Sequence, residues 1–599
     1  MTTTVGRRQG GASRHRNLSP WLWIAASIVS CVLPSILAPS AHGGLSPENV
    51  VVVVNADDPV SVRIADQYMV GRAIPAGHRI ELTGIPDKLQ ITLAQFKSLI
   101  LLPLIEQLDR RRLSGTVHCV AYSSGFPTSV DVTPHRKQLP PAVVKYNRPI
   151  ASLTGLTFLY QYILADRPEY LGNVSNHYAR GPFSRHLRNP FFEDELRERF
   201  DDIRRSSRQP DIAAGRWDEL SAAHPTIAPL SIRSAMSNAE ADNPDAIGPR
   251  LTTAIAGGWR SAEFIKDDSN LAPHLTAQHR RRLLDFPIVA QEPTAFDSRL
   301  VYGLNGWPLA PVGQPAAGLR YLLSTMLAVI HPRGQTEEEA IEVLQRSATV
   351  ESKPARGEFW FSTNRDVRSK TRLPAVPAAL AWLDWLGVKS SLQPGMMPRR
   401  PGRVMGMMLG TATMNFDYRP WHFAPGAMAE SLTSTSGAFN TRSQTKITEL
   451  LREGASITCG AVTEPYTILS KFPQPMTYAY YATGATAAEA MYLGLGNPYQ
   501  QIIIGDPLVQ PYAKPPRHRV TFEAVDGICQ ISVSAPAGWT DKDTKLARVD
   551  LSIDGVIKRS MPPKRRYKIT LPPKIQWKDR MAVTLVGDDM MASRRLVRP

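Results

Sequence analysis

The fold class follows from residues 49–55, which read NVVVVVN. A short run of valine bounded by polar residues is typical of a strand buried on both faces, as in a parallel sheet. Asp58 then offers an N-cap, Pro59 suits the first helical position, and apolar residues recur at helical spacing up to Gly71. A second strand is expected at 78–82. A buried strand followed by a helix and another strand predicts a doubly wound α/β unit.

The same alternation continues along most of the chain. A helix is expected at 92–112, broken near Pro103, and a strand at 116–122. After a less regular region the pattern resumes. Further strands are expected at 358–361, 403–409, 457–462 and 501–504, with helices at 336–346, at 443–453 and from Thr486.

Two segments depart from this pattern. Residues 165–300 include a densely charged stretch at 191–208, expected to be a solvated helix, and indicate a variable insertion. From Lys514 onwards, short segments alternate polar and apolar residues, and Asp554-Gly555 has the sequence of a hairpin turn. About 85 residues of this kind predict a small β-sandwich of immunoglobulin-like type. We therefore expect an α/β body at 44–513 and a β-sandwich at 514–599.

The first 43 residues have the composition of a secretory signal. Four arginines precede an apolar run at 21–37, and small residues follow at 38–43. A basic start, an apolar core and a small-residue end are the features of such a signal. An uncleaved N-terminal membrane anchor over 21–37 is the alternative. We therefore expect an exported protein, in the periplasm, at the cell surface or secreted.

The formal net charge of +17 is unevenly distributed. The signal segment accounts for four positive charges, and residues 514–599 carry 18 Lys and Arg against 9 Asp and Glu. The main body is only slightly basic, which argues against a nucleic-acid partner. The basic C-terminal segment could contact an anionic envelope polymer or polysaccharide. Membrane contact is expected only through the N-terminal segment, if that segment is uncleaved.

Candidate binding residues follow the ends of the predicted strands, because open α/β sheets bind ligands beyond the carboxyl ends of their strands. These residues are Asn55, Asp366, Arg368 and Asp506. Glu464 also follows a buried strand and is a candidate catalytic acid or base. Arg368 or Arg372 could bind an anionic group. Each carboxylate could equally cap its own turn, as Asp does in Gly-Asp-Pro sequences.

Catalytic signatures are mostly missing from the sequence. It has no HExxH, GxSxG or Walker motif and no cysteine–histidine cluster with zinc spacing, so we expect neither a metal nor a cofactor. A nucleophilic cysteine needs a nearby imidazole. Cys459 is the best-placed thiol, and His422 is the nearest upstream histidine. Ser434 is a candidate hydroxyl nucleophile without an identified base.

Several blocks of sequence together resemble a known family. They are VVVVNADDPVSVRIADQYMVGRAIP (51–75), GEFWFSTNRDVRSKTR (357–372), PGAMAESLTSTSGAF (425–439), QTKITELLREGASITCGAVTEPY (444–466), KFPQP (471–475) and NPYQQIIIGDPLVQP (497–511). They resemble an uncharacterised family of exported bacterial proteins found in species that carry the exosortase sorting system. That family is distantly similar to gingipain-type cysteine peptidases. This similarity implies a caspase-like α/β fold, with an immunoglobulin-like domain after the catalytic one.

The resemblance also implies where catalytic residues would lie. Gingipain-type enzymes place His-Gly after one sheet strand and a cysteine after the next. This sequence instead has Gly410-Thr411 after the strand at 403–409, and then Ser434. Three hypotheses remain open. The chain is a non-catalytic caspase-like scaffold in envelope or exopolysaccharide processes, a hydrolase or peptidase with a non-standard site, or a surface adhesin or carbohydrate-binding protein.

Overall fold

The valine-rich strand at the start of the body is part of a ten-stranded central sheet, next to one of its edges. The structure, a computed structural model, describes residues 44–139, 144, 146–172, 175–180, 295–302, 308–310, 319–350, 355–514, 516–525, 528–535, 537–538, 546–570, 581–587 and 593–597. The predicted signal segment, the charged helix expected at 191–208 and most of the predicted insertion lie outside the described residues.

The strands of the α/β body are listed here in chain order. They are β1 (Val50–Asn55), β2 (Arg79–Leu82), β3 (Gln90–Thr92), β4 (Cys119–Tyr122), β5 (Ser129–Asp131), β6 (Ile150–Ser152), β7 (Val301–Tyr302), β8 (Pro308–Ala310), β9 (Leu323–Met326), β10 (Glu358–Thr363), β11 (Ser390–Pro394), β12 (Gly402–Leu409), β13 (Trp421–Ser431), β14 (Ile457–Ala461) and β15 (Gln501–Gly505).

Ten of these strands form one mixed sheet, in the order β11-β10-β12-β13-β14-β15-β9-β4-β1-β2. The pairs on one side, from β11 to β14, and on the other, from β9 to β2, are parallel. β14 and β15 are antiparallel, and β15 meets β9 at a single bridge between Ile504 and Met326. The predicted α/β fold class is confirmed. A small sheet of β3, β5 and β6 and an antiparallel pair of β7 and β8 lie outside this main sheet.

Both faces of the main sheet are covered. Val50 to Val54 are all fully buried. Successive side chains of a strand point to opposite faces, so complete burial requires packing on both sides. The continuous valine run therefore correctly predicts a strand that is buried on both faces. An alternating apolar and polar pattern would instead have predicted burial on one face.

The helices listed here in chain order surround the sheet. They are α1 (Pro59–Gly71), α2 (Leu93–Gln95), α3 (Leu102–Arg110), α4 (Thr133–Arg136), α5 (Leu153–Phe158), α6 (Tyr160–Leu164), α7 (Glu337–Ala348), α8 (Val367–Arg372), α9 (Val376–Trp385), α10 (Thr448–Arg452), α11 (Met476–Ala482) and α12 (Ala487–Leu493). α1 packs against α7, and α11 packs against both α9 and α12. Among the described residues, no helix is long and apolar enough to cross a membrane.

The predicted helix starts are confirmed by their caps. The Asp58 side chain accepts a hydrogen bond from Val60 N, and Thr336 and Thr486 form capping boxes with Glu339 and Glu489. These signals are local, because a cap bonds to residues only two or three positions away. They can therefore be recognised without knowledge of the fold.

Two predicted helices differ from the structure. The helix expected at 92–112 is interrupted by a π-helical turn, Phe96–Leu101, just before Pro103. The helix expected at 443–453 is reduced to Thr448–Arg452. Residues 443–447 instead form a loop in which Gln444 has a φ of 62° and its side chain bonds to a neighbouring loop. Tertiary hydrogen bonds override helical propensity there.

The C-terminal sandwich is the name used here for the two antiparallel sheets after the body. Its strands are β16 (Arg519–Val525), β17 (Ile528–Ser534), β18 (Leu546–Ile553), β19 (Val556–Met561), β20 (Arg566–Thr570), β21 (Met581–Gly587) and β22 (Ser593–Val597). The sheets are ordered β16-β17-β20 and β19-β18-β21-β22. They enclose a hydrophobic core of their own, with Ile531 and Ile569 from one sheet and Leu551 and Val583 from the other.

One hairpin of the sandwich contacts the body directly. The predicted turn Asp554-Gly555 joins β18 to β19, and Gly555 has a φ of +82°. A Cβ atom added at Gly555 would lie 2.2 Å from Nε2 of His78, which is fully buried. The backbone amide of Ile557 also donates to Thr116 Oγ1 (3.3 Å). The turn therefore needs glycine both for its conformation and for its close approach to the body.

Candidate functional site

Loops that follow several sheet strands meet at one edge of the sheet. Arg333 Nε, after β9, donates to the carbonyl of Phe439, after β13 (2.7 Å). Lys471 Nζ, after β14, donates to Asn147 Oδ1, which precedes β6 (2.9 Å). We call this side of the molecule the carboxyl edge. It is where an α/β sheet would bind a ligand.

The loops after β12 and β13 hold each other in place at this edge. The hydroxyl of Ser431 donates to the carbonyl of Thr411 (2.9 Å) and accepts from the Thr411 amide (3.4 Å). In these loops, the resemblance to gingipain-type enzymes would place a histidine directly after β12 and a cysteine where Ser434 lies. The hydroxyls of Thr411 and Ser431 form hydrogen bonds with the backbone of these loops.

A third segment, residues 443–446, closes over the Ser434 loop. Gln444 Oε1 accepts from Thr433 Oγ1 (2.5 Å) and from the Thr435 amide (2.8 Å). Lys446 Nζ donates to the carbonyls of Thr435 (3.0 Å) and Ser443 (2.8 Å). Burial, together with nearby Arg333, lowers the pKa of the Lys446 ammonium to about 8. Ser434 itself is partly exposed.

Cys459 and His422 are not brought together. Cys459 is buried in the middle of β14, where its thiol donates to Gln501 Oε1 (3.3 Å). Burial raises the pKa of the Cys459 thiol well above its usual value, and nearby Glu430 raises it further. His422 is exposed near the start of β13, whereas Cys459 pairs with Glu430 near the end of β13. On the paired strand β12, the positions opposite His422 and Glu430 are Arg403 and Met408, so the two sites are roughly 17 Å apart along the sheet.

Glu464 fixes a turn at the carboxyl edge. Its Oε1 accepts from the amide of Tyr466 (2.7 Å), and Tyr466 has a φ of 59°. The carbonyl of Glu464 accepts from Gln500 Nε2 (3.2 Å). The capping role considered from the sequence accounts for these contacts.

Lys471 is the most deeply buried cation near Glu464. The side chain is fully buried, and its ammonium donates to the Tyr146 carbonyl and to Asn147 Oδ1 and lies 5.2 Å from the centroid of the Tyr499 ring. Burial lowers the pKa of Lys471 to about 7, although Glu464 opposes this shift. The resulting network ties the segment before β6 to the segment after β14.

Asp506 lies at the opposite end of β15 from Glu464. Its amide donates to the carbonyl of Ser456, which directly precedes β14 (3.1 Å). Its carboxylate is fully buried and accepts from Tyr68 Oη (2.8 Å) and from Arg72 Nε (2.7 Å). Asp506 therefore fastens β15 to α1, and it does not share a site with Glu464.

The remaining predicted binding residues also make structural hydrogen bonds or ion pairs. Asn55 Nδ2 donates to the carbonyl of Gly125 (2.8 Å), which joins the loops after β1 and β4. Asp366 caps α8 and pairs with Arg368 (3.1 Å). Arg368 therefore makes the internal ion pair of a turn. Its neighbour Arg372 forms a buried bidentate pair with Glu430.

Sequence reasoning missed Gln444, Lys446 and Lys471 as residues of the carboxyl edge. A polar side chain within a helical pattern, such as that at 443–453, carries no signal that it will bond to a loop. Lys471 is part of the quoted KFPQP block, but its burial depends on segments more than 300 residues away in sequence. Among the described residues, no group of three or more His, Cys, Asp or Glu side chains is placed to hold a metal ion.

Comparison with known proteins adds no family to this description. No protein-family model matches the chain. A search of curated proteins also finds no significant match. The resemblance to the exported family and to gingipain-type enzymes therefore depends on the sequence blocks.

Proposed function

We propose that this chain is an exported, non-catalytic protein with a caspase-like body and an immunoglobulin-like sandwich, which acts as a scaffold in envelope or exopolysaccharide processes. The observation that carries this proposal is the pair of loops after β12 and β13. They present Thr411 and Ser434 and are locked to each other and to residues 443–446 by hydrogen bonds.

The environment of Cys459 supports the same proposal. A catalytic cysteine acts as a thiolate, which an adjacent imidazole or another positive charge must stabilise. Cys459 is buried, its pKa is raised, and its thiol donates to an amide oxygen. Such a thiol is a structural core residue.

Labelling of the folded full chain tests the proposal. Iodoacetamide should leave Cys459 unmodified at pH 7 until the protein is unfolded, and a fluorophosphonate probe should not label Ser434. Rapid labelling of Cys459 in the native state would contradict the proposal, as would a Ser434 adduct.

A serine hydrolase is the second candidate. The observation in its favour is Lys446, a base of lowered pKa whose amine bonds to the carbonyl of Thr435, next to Ser434. Under this reading, fluorophosphonate labelling of Ser434 should occur in the native protein and should be lost in Lys446→Met. Under the scaffold proposal, neither protein is labelled.

A further inference from the structure

The edge strands of the C-terminal sandwich border a basic groove. The segment from Val556 to Thr570 reads VIKRSMPPKRRYKIT and contains six Lys and Arg and no Asp or Glu. It covers β19, β20 and the connection between them. In the described part of the chain, β19 is the outermost strand of one sheet and β20 of the other.

The two strands form the walls of this groove, which has a volume of about 370 Å³. Four cationic side chains line it, Arg559 from β19, Lys564 from the connection, and Arg566 and Lys568 from β20. All four are exposed. Within the described residues, none of the four has an acidic partner within salt-bridge distance, whereas several arginines of the body do, among them Arg63, Arg372 and Arg452. The groove therefore has an uncompensated positive charge.

The shape and composition of the groove favour one class of anion. A single strand of nucleic acid binds through stacking on exposed aromatic rings. The aromatic ring of the groove, Tyr567, is 7% exposed, and its hydroxyl bonds to the Lys564 amide and the Pro562 carbonyl. A membrane surface is planar and needs apolar anchors, and the segment has no exposed large hydrophobic residue. A flexible acidic polysaccharide carries carboxylates and hydroxyls, and its binding requires neither exposed aromatic rings nor exposed apolar side chains.

We propose that this groove binds a linear acidic polysaccharide. Arg566 and Lys568 lie two residues apart on β20, so they point to the same face about 7 Å apart and can pair with successive charged groups of one chain. Arg559 and Lys564 face them from the other wall and the connection. This inference goes beyond the proposed scaffold role and names its partner. If the groove does not bind a polysaccharide, the labelling of Cys459 and Ser434 described above would be unaffected, so the two proposals are tested separately.

A different explanation of these charges is protection of an exposed edge. Charged side chains on edge strands prevent pairing with other molecules. Glutamate protects an edge as well as lysine does, but it repels a polyanion. The variant Arg566→Glu/Lys568→Glu therefore separates the two roles. The matched control is Lys88→Glu/Lys389→Glu, which makes the same charge change at exposed residues of the body.

Binding of a fluorescent oligogalacturonate of about 20 sugars to the full chain tests the proposal. We expect the groove variant to weaken binding at least tenfold and to flatten its salt dependence, while the control changes affinity less than threefold. Unlabelled dextran should not compete. A second groove variant, Arg559→Glu/Lys564→Glu, should give the same loss if the first proves unstable by thermal melting.

Three results would overturn the proposal. The first is that the wild-type protein does not bind the oligogalacturonate at low salt. The second is that the control Lys88→Glu/Lys389→Glu loses as much affinity as the groove variant Arg566→Glu/Lys568→Glu. The third is that oligo(dT) of equal length binds more tightly than the oligogalacturonate. The last result would make the groove a nucleic-acid site.

Discussion

The Asp506 carboxylate shows how a candidate ligand can prove to be a structural residue. It is fully buried and receives hydrogen bonds from Tyr68 and Arg72 on α1 and from the amide of Leu508. Removal of one partner from a buried ion pair leaves an uncompensated charge. We expect Asp506→Asn to reduce the free energy of unfolding by about 3–5 kcal/mol, measured by chemical denaturation.

An exposed ion pair provides the control for this prediction. Arg63 and Glu337 join α1 to α7, and the Arg63 side chain is 53% exposed. Glu337→Gln should leave the denaturation midpoint almost unchanged, because solvent-exposed pairs contribute little. Equal effects of Asp506→Asn and Glu337→Gln would show that Asp506 does not fasten β15 to α1.

Lys471 should make stability depend on pH. Its pKa is lowered to about 7 in the folded state by burial, whereas an unfolded lysine titrates near its ordinary value of about 10.4. Between these values the unfolded chain binds more protons, so stability rises with pH. Relative to Lys471→Met, the wild-type protein should gain up to a few kcal/mol in unfolding free energy as the pH rises from 7 to 10.

The exposed Lys88 serves as the comparison. The difference between the wild-type protein and Lys88→Met should stay constant over the same pH range, measured by urea denaturation at several pH values. If the difference for Lys471→Met is also constant, the Lys471 ammonium is not desolvated in the native state.

At the scale of elements, the β18–β19 hairpin contributes to the contact between the sandwich and the body. Gly555 combines a positive φ with a close approach to His78. Gly555→Ala should therefore loosen this contact as well as strain the turn. We expect limited proteolysis to release the C-terminal sandwich faster from this variant than from the wild-type protein.

The control variant Gly538→Ala distinguishes strain in the turn from loss of the contact with His78. Gly538 also has a positive φ, of +76°, but nothing lies within 4 Å of a Cβ atom added there. Gly538→Ala should show only the backbone cost of about 1 kcal/mol and wild-type proteolysis. Similar proteolysis of both variants would mean that the turn does not hold the sandwich.

The elements that sequence reasoning predicted correctly are those with local signals. The valine run of β1, the caps at Asp58, Thr336 and Thr486, and the turn at Asp554-Gly555 each depend on a few adjacent residues. The helix expected at 443–453 failed because Gln444 and Lys446 bond to the Ser434 loop. These tertiary hydrogen bonds do not alter the helical periodicity of the sequence, so the sequence alone could not predict that the helix is shorter.

At the scale of the whole molecule, the candidate site depends on which edge of the sheet each strand end reaches. The sequence predicts that Glu464 and Asp506 follow buried strands, and both do. Since β14 and β15 are antiparallel, however, their ends lie on opposite sides. The direction of each strand depends on pairing between segments that are distant in sequence. The positions of strand ends in the sequence therefore could not show that the Glu464 and Asp506 carboxylates lie at opposite edges of the sheet.

The proposed scaffold role requires that the described carboxyl edge carries no catalytic nucleophile, and peptide cleavage tests this requirement most directly. The purified full chain is incubated at pH 7 with a mixed-sequence peptide library, and products are identified by mass spectrometry. Our account predicts no cleavage above the buffer control, with wild type, Ser434→Ala and Cys459→Ala indistinguishable. Cleavage by the wild-type protein that disappears in either variant would contradict it.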